Sequence, residues 1–150
     1  ITPKGPKVIE YNCRFGDPET QVVLPLLKSD LLDIMIATTN GNLDKVKVEF
    51  ENKSAACIIM ASEGYPLEYK KGFAINIPKD IIERVYFAGV KKENEKLLTN
   101  GGRVLGITNI ADTLDKAIKL SYEDARQISF EGAYYRKDIG KKALLKKGNN

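Results

Sequence analysis

Residues 8–21 read VIEYNCRFGDPETQ, and this stretch decides how the first part of the chain is expected to fold. Polar and apolar side chains alternate over residues 7–14, which predicts a β-strand. The apolar face of that strand carries Ile9, Tyr11 and Cys13. We expect this face to be buried, so that the segment lies in a β-sheet at the edge of a core.

The other face of the same strand carries groups suited to phosphoryl chemistry. Glu10 and Asn12 offer a carboxylate and an amide oxygen, the hard ligands that Mg²⁺ or Mn²⁺ accepts between a protein and phosphate groups. Arg14, two residues further on, can hold a phosphoryl oxygen with its planar guanidinium. Alternating polar residues on a strand usually face solvent, so this pattern alone does not establish a site.

Helices are expected directly after the strand. Asp17 is a residue type that caps helices, and Pro18 fits the first helical position. Pro25 should kink this helix or end its first part. A second helix, capped by Ser29, should continue to Asn40-Gly41.

The sequence changes character near residue 46, where short β-rich runs separated by turn signals begin. An amphipathic helix follows them, capped by Asp112 or Thr113. The pattern predicts a small α+β domain built on an antiparallel sheet. The expected strands are Val46–Phe50, Ala55–Ala61, Phe73–Ile77, Val85–Val90 and Arg103–Ile110.

Composition excludes several kinds of site. The chain has 150 residues and no histidine, which rules out Ser-His and Cys-His nucleophilic pairs and His-based zinc sites within it. The net charge of +4 suits anionic small ligands without requiring nucleic acid. Cys13 and Cys57 are expected to be buried free thiols, which favours a reducing, cytoplasmic location. No apolar run approaches the ~20 residues that cross a membrane.

The string from Val8 to Gln21 closely resembles the signature of phosphoribosylamine–glycine ligases, which are ATP-grasp enzymes of purine biosynthesis. Its most specific part is RFGDPETQ, residues 14–21, called the signature segment below. The resemblance continues over nearly the whole chain in further motifs. These are Ser29-Asp30-Leu31, Ala61-Ser62-Glu63-Gly64-Tyr65-Pro66, Thr99-Asn100-Gly101-Gly102-Arg103-Val104-Leu105 and Tyr135-Arg136-Lys137-Asp138-Ile139-Gly140.

The resemblance implies an activity and roles for several residues. The family uses ATP to convert glycine into an acyl phosphate, and the amine of 5-phosphoribosylamine attacks it to give glycinamide ribonucleotide, ADP and phosphate. The family's metal ligands map onto Glu10 and Asn12, and Arg14 matches the arginine beside the transferred phosphoryl group. Asp17 and Glu19 can hold a substrate amine or hydroxyl, although helix capping explains both equally well.

The resemblance also implies an organisation. Residues 1–46 are expected to be the C-terminal end of an ATP-grasp α/β domain, and residues 47–150 a C-terminal α+β domain of single-hybrid-like type. The chain is then expected to be a fragment that needs the N-terminal part of the same polypeptide to bind ATP and Mg²⁺ or Mn²⁺, and to be inactive alone. The alternative is a free-standing, non-catalytic C-terminal module that binds a partner or a sugar phosphate.

The later motifs are expected to be mainly structural. Gly101-Gly102 should allow a positive φ or a close backbone approach before a strand. Arg103 could reach an anionic substrate, but a surface or packing role is favoured. Arg136 and Asp138 are expected to pair.

Overall fold

A four-stranded antiparallel sheet forms the centre of the molecule, beside a separate two-stranded sheet. The structure, a computed structural model, describes residues 2–11 and 13–147. The strands are β1 (Ser54–Ser62), β2 (Val85–Phe87), β3 (Val90–Glu93), β4 (Lys96–Thr99), β5 (Arg103–Ala111) and β6 (Ala133–Tyr134). The central sheet has the order β2-β5-β1-β6, and β3 pairs with β4. The helices are α1 (Thr20–Val23), α2 (Leu31–Thr39), α3 (Leu114–Ala125) and α4 (Lys141–Lys147).

The central strands β1 and β5 pair over almost their whole length. The register runs from Ser54 opposite Ala111 to Met60 opposite Leu105, and it shifts between Met60 and Ala61. Nearly every residue of β5 is buried, because packing covers both faces of this strand. The core around the pair is apolar and includes Ile58, Met60, Val104, Leu105 and Ile107.

Helix α3 covers one face of β1 and β5. Its side chains Ala117 and Ile118 pack on Ala56 and Ala111, where small residues let the helix approach the sheet closely. The Thr113 hydroxyl accepts a hydrogen bond from the Lys116 amide at 3.3 Å, as expected for a capping residue. The predicted amphipathic helix is therefore confirmed.

Several predicted strands differ from the observed ones. β1 and β5 confirm Ala55–Ala61 and Arg103–Ile110, but the predicted Val85–Val90 strand is divided between β2 and β3. Val46–Phe50 is wrong as a strand, since only Phe50 makes an isolated bridge, to Leu27. Phe73–Ile77 likewise makes two isolated bridges rather than a strand. The hairpin of β3 and β4 is an addition to the prediction.

The helices of the first segment follow the sequence signals with two changes. α1 ends at Val23, where a 3₁₀ turn containing Pro25 begins, so the predicted effect of this proline is confirmed. Asp30 rather than Ser29 caps α2, because its Oδ1 accepts from the amides of Leu32 at 2.8 Å and Asp33 at 3.1 Å. The second change is at Asp17, which does not cap α1.

The predicted end of α2 is confirmed. Asn40 is the residue after the helix, and Gly41 has a φ of +66°, a conformation that glycine adopts without strain. The chain then returns towards the first helical turns. The Lys28 amide donates to the Glu49 carbonyl at 2.9 Å, and the Glu51 amide donates to the Leu26 carbonyl at 2.7 Å.

These elements confirm the predicted α+β class with an antiparallel sheet and a packed helix. Across residues 2–11 and 13–147, none of the helices has the length and apolarity that a membrane crossing requires.

Candidate functional site

The segment that carries the predicted metal ligands is an exposed, irregular stretch of chain. Residues 7–11 form no strand, so the strand predicted over 7–14 is wrong where the structure describes it. A strand persists when its amide and carbonyl groups pair with a neighbour, and no strand in the described residues pairs with this stretch. The expected core face is exposed as well, with Ile9 98% and Tyr11 83% accessible.

Two of the three residues on the predicted polar face are described. Glu10 is exposed, and Asn12 lies outside the described residues. The Arg14 guanidinium donates from Nη1 to the carbonyl oxygen of Phe15 at 3.1 Å. Cys13 is exposed rather than buried, because the segment that carries it is not packed on the sheet. Cys57 is half-buried on β1, and burial raises the pKa of its thiol.

The signature segment turns sharply into α1. The Thr20 amide donates to the Gly16 carbonyl at 3.0 Å, and the Thr20 hydroxyl donates to the same oxygen. Glu19, not Asp17, is the residue before the helix, and its side chain makes no capping hydrogen bond. The Glu19 carboxylate instead lies over Gly16, where a Cβ would collide with it. The predicted capping role of Asp17 is therefore wrong.

Asp17 is held by Arg103, the first residue of β5. Arg103 Nη2 lies 2.9 Å from Asp17 Oδ2, and Arg103 Nη1 donates to the Asp17 carbonyl oxygen at 3.0 Å. Gln21 Nε2 donates to Asp17 Oδ1 at 3.0 Å. The Asp17 carboxylate therefore binds two side chains rather than capping α1.

The start of β5 fixes the backbone of Arg103. The Gly89 amide donates to the Arg103 carbonyl at 2.9 Å, and Arg103 lies opposite Ala61 of β1. Gly101 and Gly102 have ordinary negative φ values, so the alternative predicted for them, a close approach, is the one observed. A Cβ at Gly102 would collide with the Tyr65 ring.

Two open clefts lie beside these residues. A cleft of about 530 Å³ is lined by the signature segment and by the aromatic side chains of β2. Its lining includes Phe15, Asp17, Gln21, Tyr86 and Phe87. A groove of about 450 Å³ lies at the end of β1 and carries Glu63, Glu68 and Glu131 with Lys70 and Tyr69. Aromatic walls with convergent polar groups are the usual lining of small-molecule sites.

Whether residues 7–14 can hold a metal ion depends on the ligand atoms that their side chains supply. Among the described residues, no three or more His, Cys, Asp or Glu side chains are arranged to hold a metal ion. Glu10 is exposed, and it supplies a carboxylate of the kind that Mg²⁺ accepts together with substrate phosphates and water. The donor set of Glu10 with Asn12 therefore fits a cation that is shared with a phosphate ligand.

A second ion pair lies inside the domain. Arg84 Nε lies 2.7 Å from Asp124 Oδ2, and Asn109 Nδ2 donates to the same oxygen at 2.8 Å. Burial opposes ionisation of Asp124, but the hydrogen bonds from Arg84 and Asn109 outweigh it and hold the pKa of this carboxyl below its ordinary value. This pair joins the turn before β2 to α3.

Sequence reasoning missed Gln21 and favoured a surface or packing role for Arg103. Both residues stand inside motifs already singled out, yet spacing along the chain gives no sign that residues 17 and 103 meet. The predicted pairing of Arg136 and Asp138 is confirmed, with two hydrogen bonds of 2.9 and 2.8 Å.

Comparisons with known proteins agree with this architecture. The family model described as phosphoribosylglycinamide synthetase, C domain, matches residues 55–142. The chain is 52% identical over 140 residues to a phosphoribosylamine–glycine ligase of Caldanaerobacter subterraneus, covering 93% of this chain and 34% of that protein. It is 47% identical to a bifunctional purine biosynthetic protein of Pichia angusta, covering 100% of this chain and 20% of that protein.

A solved structure of a phosphoribosylamine–glycine ligase also matches this chain. The crystal structure of a phosphoribosylamine–glycine ligase from Thermotoga maritima matches with a TM-score of 0.73 and 34% sequence identity. The match covers 91% of this chain and 34% of that chain. The chain therefore spans about a third of the length of the ligases that it matches.

Proposed function

The chain belongs to the phosphoribosylglycinamide synthetase family, and we propose on that premise that it supplies the C-terminal third of an ATP-dependent ligase. The ligase would join glycine to 5-phosphoribosylamine and release ADP and phosphate, as a step of purine biosynthesis. The observation that carries the proposal is the superposition of 91% of the chain on a phosphoribosylamine–glycine ligase at a TM-score of 0.73.

The proposed reaction has two steps. A carboxylate oxygen of glycine attacks the γ-phosphorus of ATP, and ADP leaves with the electron pair of the broken P–O bond. The amine nitrogen of phosphoribosylamine then attacks the acyl carbon of glycyl phosphate. The amide C–N bond forms, phosphate leaves, and the nitrogen loses a proton. Positioning and charge neutralisation are the main contributions a protein makes to such phosphoryl transfer.

Three residues of this chain are proposed to act on the phosphoryl group. Glu10 and Asn12 are proposed to hold Mg²⁺ or Mn²⁺ between the protein and the phosphates of ATP. The bound cation would neutralise negative charge on those phosphates. Arg14 is exposed, and its guanidinium has five N–H donors, so its bond to the Phe15 carbonyl leaves donors for a phosphoryl oxygen.

Two carboxylates of the signature segment are proposed to hold substrate. The Asp17 side chain is 51% exposed despite its bonds to Arg103 and Gln21, so it can still accept from an amine or hydroxyl. Glu19 is exposed on the same turn. An amine held by a carboxylate is oriented for attack, which is how positioning contributes to an acyl transfer.

The organisation of the protein is part of the same proposal. Residues 1–46 would complete an ATP-grasp domain, and residues 47–150 would form the C-terminal domain beside it. The backbone of residues 7–11 would pair with the rest of that ATP-grasp domain, or their exposed apolar side chains would pack on it. The ligase would act in the cytoplasm, where free thiols such as those of Cys13 and Cys57 remain reduced.

The test is the substrate dependence of ADP release by the full-length polypeptide that contains this chain. ATP, Mg²⁺, glycine and freshly generated phosphoribosylamine are supplied together and then with each substrate omitted. Release that needs both glycine and phosphoribosylamine supports the ligase. Release that ignores phosphoribosylamine would mean that the chain belongs to a ligase for a different amine.

A further inference from the structure

The contact between Arg103 and Asp17 joins the signature segment to the central sheet. We propose that Arg103 is a positioning residue for the ligase reaction, holding the Asp17 carboxylate and the turn around it in the orientation that catalysis requires. The inference rests on the proposed function. It assigns to Arg103 a role that acts through Asp17 rather than by contact with a substrate.

The geometry of the contact is that of a clamp. One guanidinium nitrogen of Arg103 lies 2.9 Å from Asp17 Oδ2, and the other donates to the Asp17 carbonyl oxygen at 3.0 Å. A rigid planar group that binds the side chain and the backbone of one residue fixes the side-chain torsions as well as the position of the turn. Gln21 Nε2 completes the arrangement by binding Oδ1 at 3.0 Å.

Arg103 is itself anchored in the central sheet. It begins β5, which pairs with both β1 and β2. The Ser62 amide donates to the Gly102 carbonyl at 2.8 Å, and the Ser62 hydroxyl donates to the Gly101 carbonyl at 2.9 Å. The guanidinium therefore extends from a backbone that is held on both sides.

The contact is poorly placed to serve stability. The Arg103 and Asp17 side chains are 40% and 51% exposed, and ion pairs in that environment contribute little to the free energy of unfolding. Arg84–Asp124 is the contrasting case, since the Asp124 side chain is only 11% exposed and is also bound by Asn109. A contact that spans 86 residues and contributes little to stability is better explained by the orientation it imposes.

In this orientation Asp17 can still accept hydrogen bonds from a ligand. A carboxylate has about four lone-pair sites, and the two side-chain hydrogen bonds described here use two of them. Asp17 also lines the cleft between the signature segment and β2. Arg14 lies three residues before Asp17 in the same signature segment.

The experiment compares Arg103→Gln and Arg103→Lys in the full-length polypeptide with Arg136→Gln as the matched control. Arg136 also forms an exposed pair with a nearby aspartate, but that pair lies outside the proposed site. Arg103→Gln should lower kcat by roughly 10- to 100-fold, the effect expected of a misplaced catalytic turn. The melting temperature of Arg103→Gln should change no more than that of Arg136→Gln. Arg103→Lys should recover part of the lost kcat.

Two further measurements separate positioning from other roles. In an Asp17→Asn background, adding Arg103→Gln should lower kcat by less than about twofold more, because the two residues act as one unit. Amide hydrogen exchange over residues 13–20 should be faster in Arg103→Gln and unchanged in Arg136→Gln. Unchanged exchange in Arg103→Gln, or effects that multiply in the double variant, would overturn the positioning role.

The exchange measurement does not depend on the identity of the substrates. A wild-type polypeptide without glycine-dependent turnover would reject the proposed function, and faster exchange in Arg103→Gln would still support the clamp. Full turnover in Arg103→Gln, with an active wild type, would reject the role of Arg103 and leave the ligase assignment intact.

Discussion

Arg103 and Asp17 are 86 residues apart in sequence, yet the Arg103 guanidinium holds both the carboxylate and the backbone carbonyl of Asp17, at 2.9 and 3.0 Å. One residue begins a central strand of the sheet, and the other lies in the turn that opens α1. The contact places the signature segment, with its candidate phosphoryl and substrate groups, against the start of β5.

The Arg84–Asp124 pair, in which the Asp124 side chain is only 11% exposed, should stabilise the protein. Asp124→Asn removes the charge that Arg84 and Asn109 satisfy, and should lower the free energy of unfolding by about 1–3 kcal/mol. The control is Asp138→Asn, which breaks an exposed pair and should change stability much less. Chemical denaturation of both variants of the 150-residue chain measures the difference, and equal losses would contradict the assignment.

The free energy of unfolding should also depend on the protonation of Asp124 at acid pH. The hydrogen bonds of Arg84 and Asn109 hold the pKa of Asp124 below its ordinary value, so its stabilising contribution is fully present above about pH 4. That contribution is lost as the pH falls through the lowered pKa of the folded state. Denaturation between neutral pH and strong acid should show a smaller acid loss in Asp124→Asn than in the wild type. Identical pH profiles would mean that another carboxyl dominates.

Gly89 should tolerate no side chain. A Cβ there would lie 2.6 Å from the Arg103 carbonyl oxygen and 2.6 Å from Gly101 Cα, and neither backbone atom can move aside easily. Gly89→Ala should therefore destabilise the domain by about 1–3 kcal/mol. Gly106→Ala is the control, because its Cβ would meet the flexible ends of Cys57 and Ile59 at 3.0 Å. A smaller loss in Gly89→Ala than in Gly106→Ala would contradict this explanation.

The 150-residue chain alone should not carry out the reaction. It spans about a third of the length of the matching ligases. The rest of the ATP-binding site is proposed to lie in the remaining part of the polypeptide. A coupled assay of ADP release with ATP, Mg²⁺, glycine and phosphoribosylamine should give no signal above background, whereas the full-length polypeptide should be active. Glycine-dependent release by the chain alone would contradict the proposal.

The parts of the fold with strong local signals were predictable. β1, β5 and α3 follow from β-rich and helical periodicity. Pro25 and Gly41 end helices because of the backbone conformations that proline and glycine themselves favour. The hairpin of β3 and β4 was missed because its turn uses Asn94 and Glu95 at positive φ. Sequence signals for hairpins usually rely on glycine at such positions.

The candidate site was predictable only in part. Alternation over residues 7–14 shows which side chains would share a face, but it does not show whether a neighbouring strand exists to pair with them. Asp17 has the chemistry of a cap, yet its carboxylate is bound by Arg103 and Gln21. Contacts between residues this far apart in sequence depend on the tertiary fold, which periodicity does not report.

Glu10→Gln in the full-length polypeptide tests the central claim most directly, because it keeps the shape of the side chain and removes the charge proposed to bind the cation. The control is Glu51→Gln, which changes an exposed carboxylate that lines neither of the two clefts. ADP release that requires glycine and phosphoribosylamine should fall by roughly 100-fold or more in Glu10→Gln. It should stay near the wild-type rate in the control. Full substrate-dependent release by Glu10→Gln would contradict the claim that this segment carries the metal site of a phosphoribosylamine–glycine ligase.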